Sequence, residues 1–317
     1  MPRILLVKTS SLGDVVHNFP VVSDIVSALP GAEIDWVVEE RFADLPALHP
    51  GVSRTLPVAI RRWRTRLHSA STWREMSAFK TVLRAQRYDA IVDSQGLFKS
   101  AIVARIARGR RYGLGWRASR EPLFPFYHRT FDVPRALHAV ARNRSLASQA
   151  LGYTPAVAVD YGIRADAVEF SWLPRGAYAV LLHSTSARAK LWREDDWSAL
   201  GSTLAASGTR SVLPWGSETE RGRSMRLAAS IPDSVVPPAL PLAAATALLA
   251  GARCAVGLDT GLTHLAGALG VPTVGIYIAT DPAATGLYGC ARAANVGGAA
   301  ARPGLDAVLR ELGRLGV

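Results

Sequence analysis

The sequence predicts an α/β protein made of two doubly wound parallel sheets facing a cleft. Three observations carry this expectation. The 317 residues suffice for two domains of about 150 residues each. In both halves short apolar runs alternate with stretches of helical periodicity, the pattern of parallel strands covered on both faces. The alternation breaks over residues 152–174, where Pro155, Gly162 and Pro174 fall and no long periodicity survives. This places one domain at residues 1–155 and a second at 172–302.

In chain order, residues 3–7 (RILLV) form a short apolar strand, followed by the loop KTSSLGD. Residues 15–29 have helical spacing, with a kink expected at Pro20. A second strand covers 33–38, an amphipathic helix 72–87, a buried strand 90–93, and further helices 98–108 and 135–151. Beyond the linker the series restarts. Strands are expected at 178–183, 211–213, 254–257 and 273–277, and helices at 194–207, 218–230, 242–251, 260–269 and 305–315. In such folds ligands bind beyond the carboxyl ends of the strands.

Composition narrows the classes. At 49% hydrophobic and 20% charged, the chain is too apolar for disorder. Two cysteines, Cys254 and Cys290, cannot build a disulfide framework, which points to a reducing, cytosolic setting. The first residues do not read as a signal peptide. The longest apolar run, 239–252, is too short to span a bilayer, so a soluble or peripheral protein is expected. The net charge of +12 is uneven. Residues 1–155 hold 23 Lys and Arg against 12 Asp and Glu; residues 156–317 hold 14 against 13. The first half is therefore expected to meet something acidic: nucleic acid, anionic lipid or an acidic small molecule. The sequence has no G-x-G-x-x-G, P-loop, C-x-x-C, H-E-x-x-H, G-x-S-x-G or D-x-D motif.

Four segments can carry chemistry. In Lys8-Thr9-Ser10-Ser11-Leu12-Gly13-Asp14, Gly13 permits close backbone approach and Asp14 opens a helix, either as a plain cap or as a proton acceptor. His17, three residues on, is a hydrogen-bond partner of Asp14, a rival base or an ordinary surface histidine. The second segment, residues 183–190, includes Thr185, Ser186 and Lys190. It is either a solvated loop or a set of donors and a point charge suited to a pyrophosphate. In the third, Asp259, Thr260, Gly261 and His264 surround a helix start, a satisfied cap or an anion site. The fourth, Arg61-Arg62-Trp63-Arg64-Thr65-Arg66, is a solvated face, a nucleic-acid arm or an anion clamp.

Taken in order, KTSSLGDVVHNFP, VAIRRWR, DSQGLFKSA, REPL, HSTSARAKLW, WGSE and LDTGLTHLAGALGVPT resemble the lipopolysaccharide heptosyltransferase I family from residue 3 to about residue 290. The resemblance implies the GT-B fold of two Rossmann-like domains, with the last helix, about 303–317, crossing back to the first. It implies an inverting glycosyltransferase that moves L-glycero-D-manno-heptose from ADP-heptose to the first Kdo of Kdo2-lipid A, forming an α-1,5 link. Asp14 matches the catalytic base. Thr185, Ser186, Lys190, Glu218, Leu240, Asp259, Thr260, Gly261 and His264 match the donor site. Ser10, Gly13, Arg61, Arg62, Arg64 and Arg120 match the acceptor side. Thr65 stands where a basic residue can occur. No metal or cofactor is implied. A monomer is expected, in the cytoplasm and peripheral to the anionic inner membrane. A heptose-on-heptose transferase is the neighbouring expectation. A nucleic-acid-binding protein is the one from another class, and the poverty of aromatics among the arginines speaks against it.

Overall fold

The computed structural model describes residues 1–185, 187–299 and 301–317. It divides into two compact units, Met1–Ile163 and Arg164–Val317. The division falls inside the Pro- and Gly-containing stretch that interrupts the alternation.

The first unit runs β1 (Arg3–Val7), α1 (Leu12–Val16), α2 (Phe19–Ala28), β2 (Glu33–Glu39), β3 (Val52–Val58), α3 (Ile60–Trp63), α4 (Ala70–Ala85), β4 (Arg87–Asp93), α5 (Phe98–Ile106), β5 (Arg108–Leu114), β6 (Arg129–Phe131) and α6 (Ala139–Leu151). Its sheet is parallel, in the order β3-β2-β1-β4-β5-β6. Ile4, Leu5, Leu6 and Val7 of the central β1 are all fully buried. This is why that strand reads as a continuous apolar run, each side chain contributing about 1.5–3 kcal/mol by leaving water. The expected kinked helix is instead two helices separated at His17–Asn18. Pro20 lies in the first turn of α2, where a missing N–H costs nothing. α6 is fastened to α2 by a buried ion pair, Arg144 Nε to Asp24 Oδ2 at 2.7 Å, and ends on Gly152 in the left-handed region.

The second unit runs β7 (Tyr178–Leu182), α7 (Glu194–Ala206), β8 (Arg210–Val212), α8 (Glu218–Ala228), α9 (Leu242–Ala250), β9 (Cys254–Leu258), α10 (Gly261–Ala268), β10 (Thr273–Tyr277), α11 (Pro282–Thr285), β11 (Ala293–Gly297) and α12 (Leu305–Arg314). Its five strands are parallel in the order β11-β10-β9-β7-β8. The expectation that residues 303–317 join the first domain is not met. α12 places Val308 and Leu312 in the core of the second unit, with Leu305 and Leu309 packed beside them. The i, i+3, i+4, i+7 spacing gives the helix one apolar stripe, and the sheet of its own unit buries it.

Both sheets share one topological feature. The chain lays down strands to one side of the first strand, then crosses to its other side. The crossing puts a switch point between β1 and β4 in the first unit, and between β7 and β9 in the second. At a switch point the connections leave toward opposite faces and open a crevice at the carboxyl ends of the two strands.

Candidate functional site in each unit

In the second unit, the switch point is spanned by an ion pair. Lys190, on the segment after β7, donates to Asp259 Oδ2 at 2.8 Å; Asp259 directly follows β9. Thr280, after β10, donates to the same oxygen at 2.8 Å, and His264 Nε2 lies 3.4 Å from Oδ1. Three adjacent strands thus deliver their following residues to one carboxylate. Burial alone would raise the Asp259 carboxyl. The bonds from His264, Lys190 and Thr280 outweigh it and hold the group well below the usual carboxylate range. Asp259 therefore stays ionised, and Lys190 keeps two further N–H directions for another anion.

α10 starts beside this cluster. Its N-cap Thr260 is extended, and the Thr260 hydroxyl lies 3.1 Å from that of Thr263, which donates to Leu258 O at 2.6 Å. The helix comes this close because Gly257 has no side chain; a Cβ there would meet the Thr263 hydroxyl and Leu182. The first N–H groups of α10, from Gly261 onward, have no carbonyl inside the helix and form an anion-favouring end.

The other expected donor residues are placed less centrally. Glu218 opens α8, exposed, with Arg221 3.4 Å away. Leu240 is half-buried just ahead of α9, and Thr185 is half-buried after β7. Ser186 lies outside the described residues. Among the described residues no hydrogen bond or ion pair ties Thr185, Glu218 or Leu240 to the Asp259 cluster. His183, the last residue of the expected strand, follows the observed end of β7 and is fully buried. Its Nε2 is 2.9 Å from Ser224 Oγ and its Nδ1 2.9 Å from Ser184 Oγ. Burial, helped by Arg223, holds its pKa down to about 4. The neutral imidazole therefore contributes stability that is fully present above pH 6.5 and is lost as the pH falls towards 4. Acidification over this window is expected to cost on the order of 3 kcal/mol through this group. Thermal melts from pH 7 to 4.5 should show a smaller decline for His183→Gln than for wild type.

In the first unit the switch point holds a pocket of about 290 Å³, lined by Lys8, Ser10, Ser11, Asp14, Gln95, Arg120 and Arg142 among others. Gln95 Oε1 accepts from the N–H groups of Thr9 and Ser10, each at 3.0 Å, so the loop after β4 sets the shape of the loop after β1. Asp14 is the third residue of α1, not its first. Its Oδ2 accepts from Ser11 N at 2.7 Å and Ser11 Oγ at 3.0 Å, a reciprocal cap. Among the described residues Oδ1 has no hydrogen bond. One oxygen of this carboxylate is thus engaged by Ser11, and the other is not engaged among the described residues. His17 is not a surface residue: it is 3% exposed, with its ring edge-on to His138 at 5.4 Å.

The pocket gathers Ser10, Asp14 and Arg120 of the expected residues. Gly13 lies within α1 and outside the lining. Arg61, Arg62 and Arg64 follow β3, beside the same end of the sheet. Arg62 is already engaged, with Glu40 at 2.9 Å and Glu75 at 2.8 Å. Arg61 holds its backbone to Glu39 Oε1 at 2.9 Å and leaves its exposed guanidinium to solvent, as does Arg64. Lys99, in the DSQGLFKSA segment but given no role from the sequence, has Arg61, Arg64 and Asp14 as charged neighbours. Its ammonium donates to Ser10 Oγ at 2.6 Å. Burial and then Arg61 push it down, while Glu39 and Asp14 pull it up. Thr280 was missed as well, its only signal being its place just after a strand, while Lys8 and Gln95 stand in the KTSSLGD and DSQGLFKSA segments but were given no role of their own.

Comparison with known proteins gives the chain a family. Residues 76–307 match glycosyltransferase family 9 (heptosyltransferase). Lipopolysaccharide heptosyltransferase 1 of Escherichia coli strain K12 is 44% identical over 290 residues, covering 90% of this chain and 91% of that protein. The E. coli heptosyltransferase WaaC solved with ADP superposes with a TM-score of 0.89 at 40% identity, covering 99% of both chains. The same enzyme with ADP-2-deoxy-2-fluoro heptose gives 0.86 at 40% identity, covering 98% and 99%. The family model, the 44% identity over nine-tenths of the chain and the shared fold of two parallel-sheet α/β domains identify this chain as a member of glycosyltransferase family 9, the heptosyltransferases.

Proposed function

We propose that the protein transfers L-glycero-D-manno-heptose from ADP-heptose to the first Kdo of Kdo2-lipid A, inverting the anomeric centre. The observation that carries this is the Lys190–Asp259–His264–Thr280 cluster at the second unit's switch point, beside the start of α10. It offers an ammonium and a helix end to a diphosphate and an ionised carboxylate to sugar hydroxyls. In this scheme Asp14 Oδ1 takes the proton from the Kdo hydroxyl as its oxygen bonds to the anomeric carbon. The bond from that carbon to the diphosphate oxygen breaks, and Lys190 with the α10 N-terminus neutralises the departing ADP. Thr185, Thr260 and Gly261 complete the diphosphate contacts; Glu218 and Leu240 serve the nucleoside. Arg61, Arg64 and Arg120 meet the acidic acceptor.

Among the described residues no helix is long and apolar enough to cross a membrane. The basic first half supports peripheral contact with anionic lipid at the cytoplasmic face of the inner membrane. The test is an acceptor competition. Kdo2-lipid A and the same lipid already bearing one heptose are offered together with ADP-heptose. Heptose should appear on the first; preferential extension of the second would reassign the acceptor.

A further inference from the structure

We infer that His183, Arg223 and Ser224 are positioning residues: they fasten both ends of the Lys190-bearing segment to α8, so that the helix whose first residue serves the nucleoside also fixes the ammonium that meets the diphosphate. This deepens the proposed donor reading and rests on it.

The connection from β7 to α7 carries Lys190 on a short 3-10 turn, Arg188–Lys190. At its start His183 is fully buried and uses both ring nitrogens. Nε2 lies 2.9 Å from the buried Ser224 Oγ of α8, and Nδ1 lies 2.9 Å from Ser184 Oγ. The proposed chemistry gives this imidazole no proton to move. Two residues beyond Lys190, the Trp192 carbonyl accepts from a terminal nitrogen of Arg223 at 2.7 Å, and the Trp192 ring donates to Pro303 O at 2.8 Å. Arg223 and Ser224 are neighbours on α8, so one turn of that helix holds both ends of the connection.

Neither anchor is what stability alone would select. Arg223 is 8% exposed, and burial pushes its guanidinium down. Its ion pair is long, Nε to Glu194 Oε1 at 3.7 Å, and that carboxylate oxygen already accepts from Arg226 at 2.8 Å. A cation buried chiefly on a neutral carbonyl is costly beside an apolar side chain of similar volume. What the guanidinium supplies is direction, because it is satisfied only when the Trp192 carbonyl, and so Lys190 two residues earlier, sits in one place. His183 acts alike at the other end: a ring between two hydroxyls cannot turn without losing a partner. α8 opens with Glu218, which the proposed scheme gives to the nucleoside, and Arg223 stands about 8 Å further along the helix axis. The helix is thus a rigid spacer between the nucleoside contact and the segment that meets the diphosphate. Its value is kinetic, since about 1 Å of misplacement can cost about 100-fold in rate.

The test compares ADP with adenosine by calorimetry and follows transfer from ADP-heptose, with the melting temperature of every variant measured alongside. Wild type should bind ADP more tightly than adenosine. Ser224→Ala and Arg223→Met should each weaken ADP binding about 3- to 10-fold, leave adenosine binding unchanged and lower kcat about 10-fold. Arg223→Lys, which keeps a donor for the carbonyl, should recover part of both losses. In a Lys190→Ala background the same two substitutions should change ADP affinity and kcat by less than about 2-fold, because the group they place is gone. Losses that multiply with that of Lys190→Ala would overturn the inference. So would equal weakening of ADP and adenosine in step with a lower melting temperature, or undiminished ADP affinity and kcat in Ser224→Ala. That variant removes a single buried hydroxyl and carries the test if Arg223→Met does not fold. A wild type that binds ADP no better than adenosine would instead defeat the donor reading, and the inference with it.

Discussion

Asp14→Asn is expected to lower kcat by about 10²- to 10⁴-fold, the usual effect of removing a general base, with the affinity for ADP-heptose unchanged. Asparagine is the informative replacement because the proposed scheme gives Asp14 two tasks. Its Oδ2 accepts from Ser11 at the start of α1, and the residue lines the pocket, where the scheme assigns Oδ1 the proton. An amide oxygen can still accept from Ser11, so the cap survives, whereas the proton acceptor is lost. Asp14→Ala removes both and should add about 1 kcal/mol of destabilisation to the same kinetic loss. Steady-state kinetics with thermal melts of both variants separate the two tasks. A purely structural Asp14 would give an asparagine variant with near-normal turnover and an alanine variant impaired in step with its stability.

Lys190→Ala is expected to lower kcat by about 10²- to 10³-fold, because the proposed scheme sets the ammonium where negative charge grows on the departing diphosphate. It should also weaken ADP binding. The change leaves Asp259 with Thr280 and His264 but no full positive partner on Oδ2. Its ionised carboxylate would then repel the anion that Lys190 attracts. The double variant Lys190→Ala/Asp259→Asn is therefore expected to recover part of the lost ADP affinity but little of the lost turnover. Calorimetry with ADP and single-turnover kinetics measure the two effects. Recovery of turnover by the double variant would show that Lys190 serves only to neutralise Asp259.

The inner strands were legible because burial on both faces writes them as unbroken apolar runs: ILLV in β1, CAVGL in β9, TVGIY in β10. β3, β5, β6 and β11 were not. β3 contains Pro57 and alternates with exposed residues, and β5 begins RGRR, so each reads as a loop until its neighbour supplies the ladder. The helices from 194 to 269 were placed within about two residues, since their periodicity is strong and their ends are marked. α12 was found but given to the wrong domain. An apolar stripe says that a helix must be covered and not by which sheet.

The candidate site divides the same way. Asp14, Lys190 and Asp259 belong to the connections that follow β1, β7 and β9, so position singled out their segments while leaving cap and solvated-loop readings open, and the family resemblance gave them roles. That Lys190 and Asp259 bind each other was not legible, because 69 residues separate them and only the strand order β9-β7 brings their loops together. Thr280 lacks any local motif and simply follows β10, whereas Lys99 stands in the DSQGLFKSA segment, in the first turn of α5, with nothing local to mark it as reaching Ser10. Arg62 read as a free cation because Glu40 and Glu75, its partners, lie on other elements.

The most direct measurement is the mass of the lipid product after wild-type protein is incubated with ADP-heptose and Kdo2-lipid A, followed by assignment of the new linkage by NMR. A heptosyltransferase of the proposed kind adds a single heptose, α-linked to the first Kdo, and releases ADP in equal amount. An unchanged lipid mass with intact ADP-heptose, or a heptose attached to any sugar other than that Kdo, would contradict it.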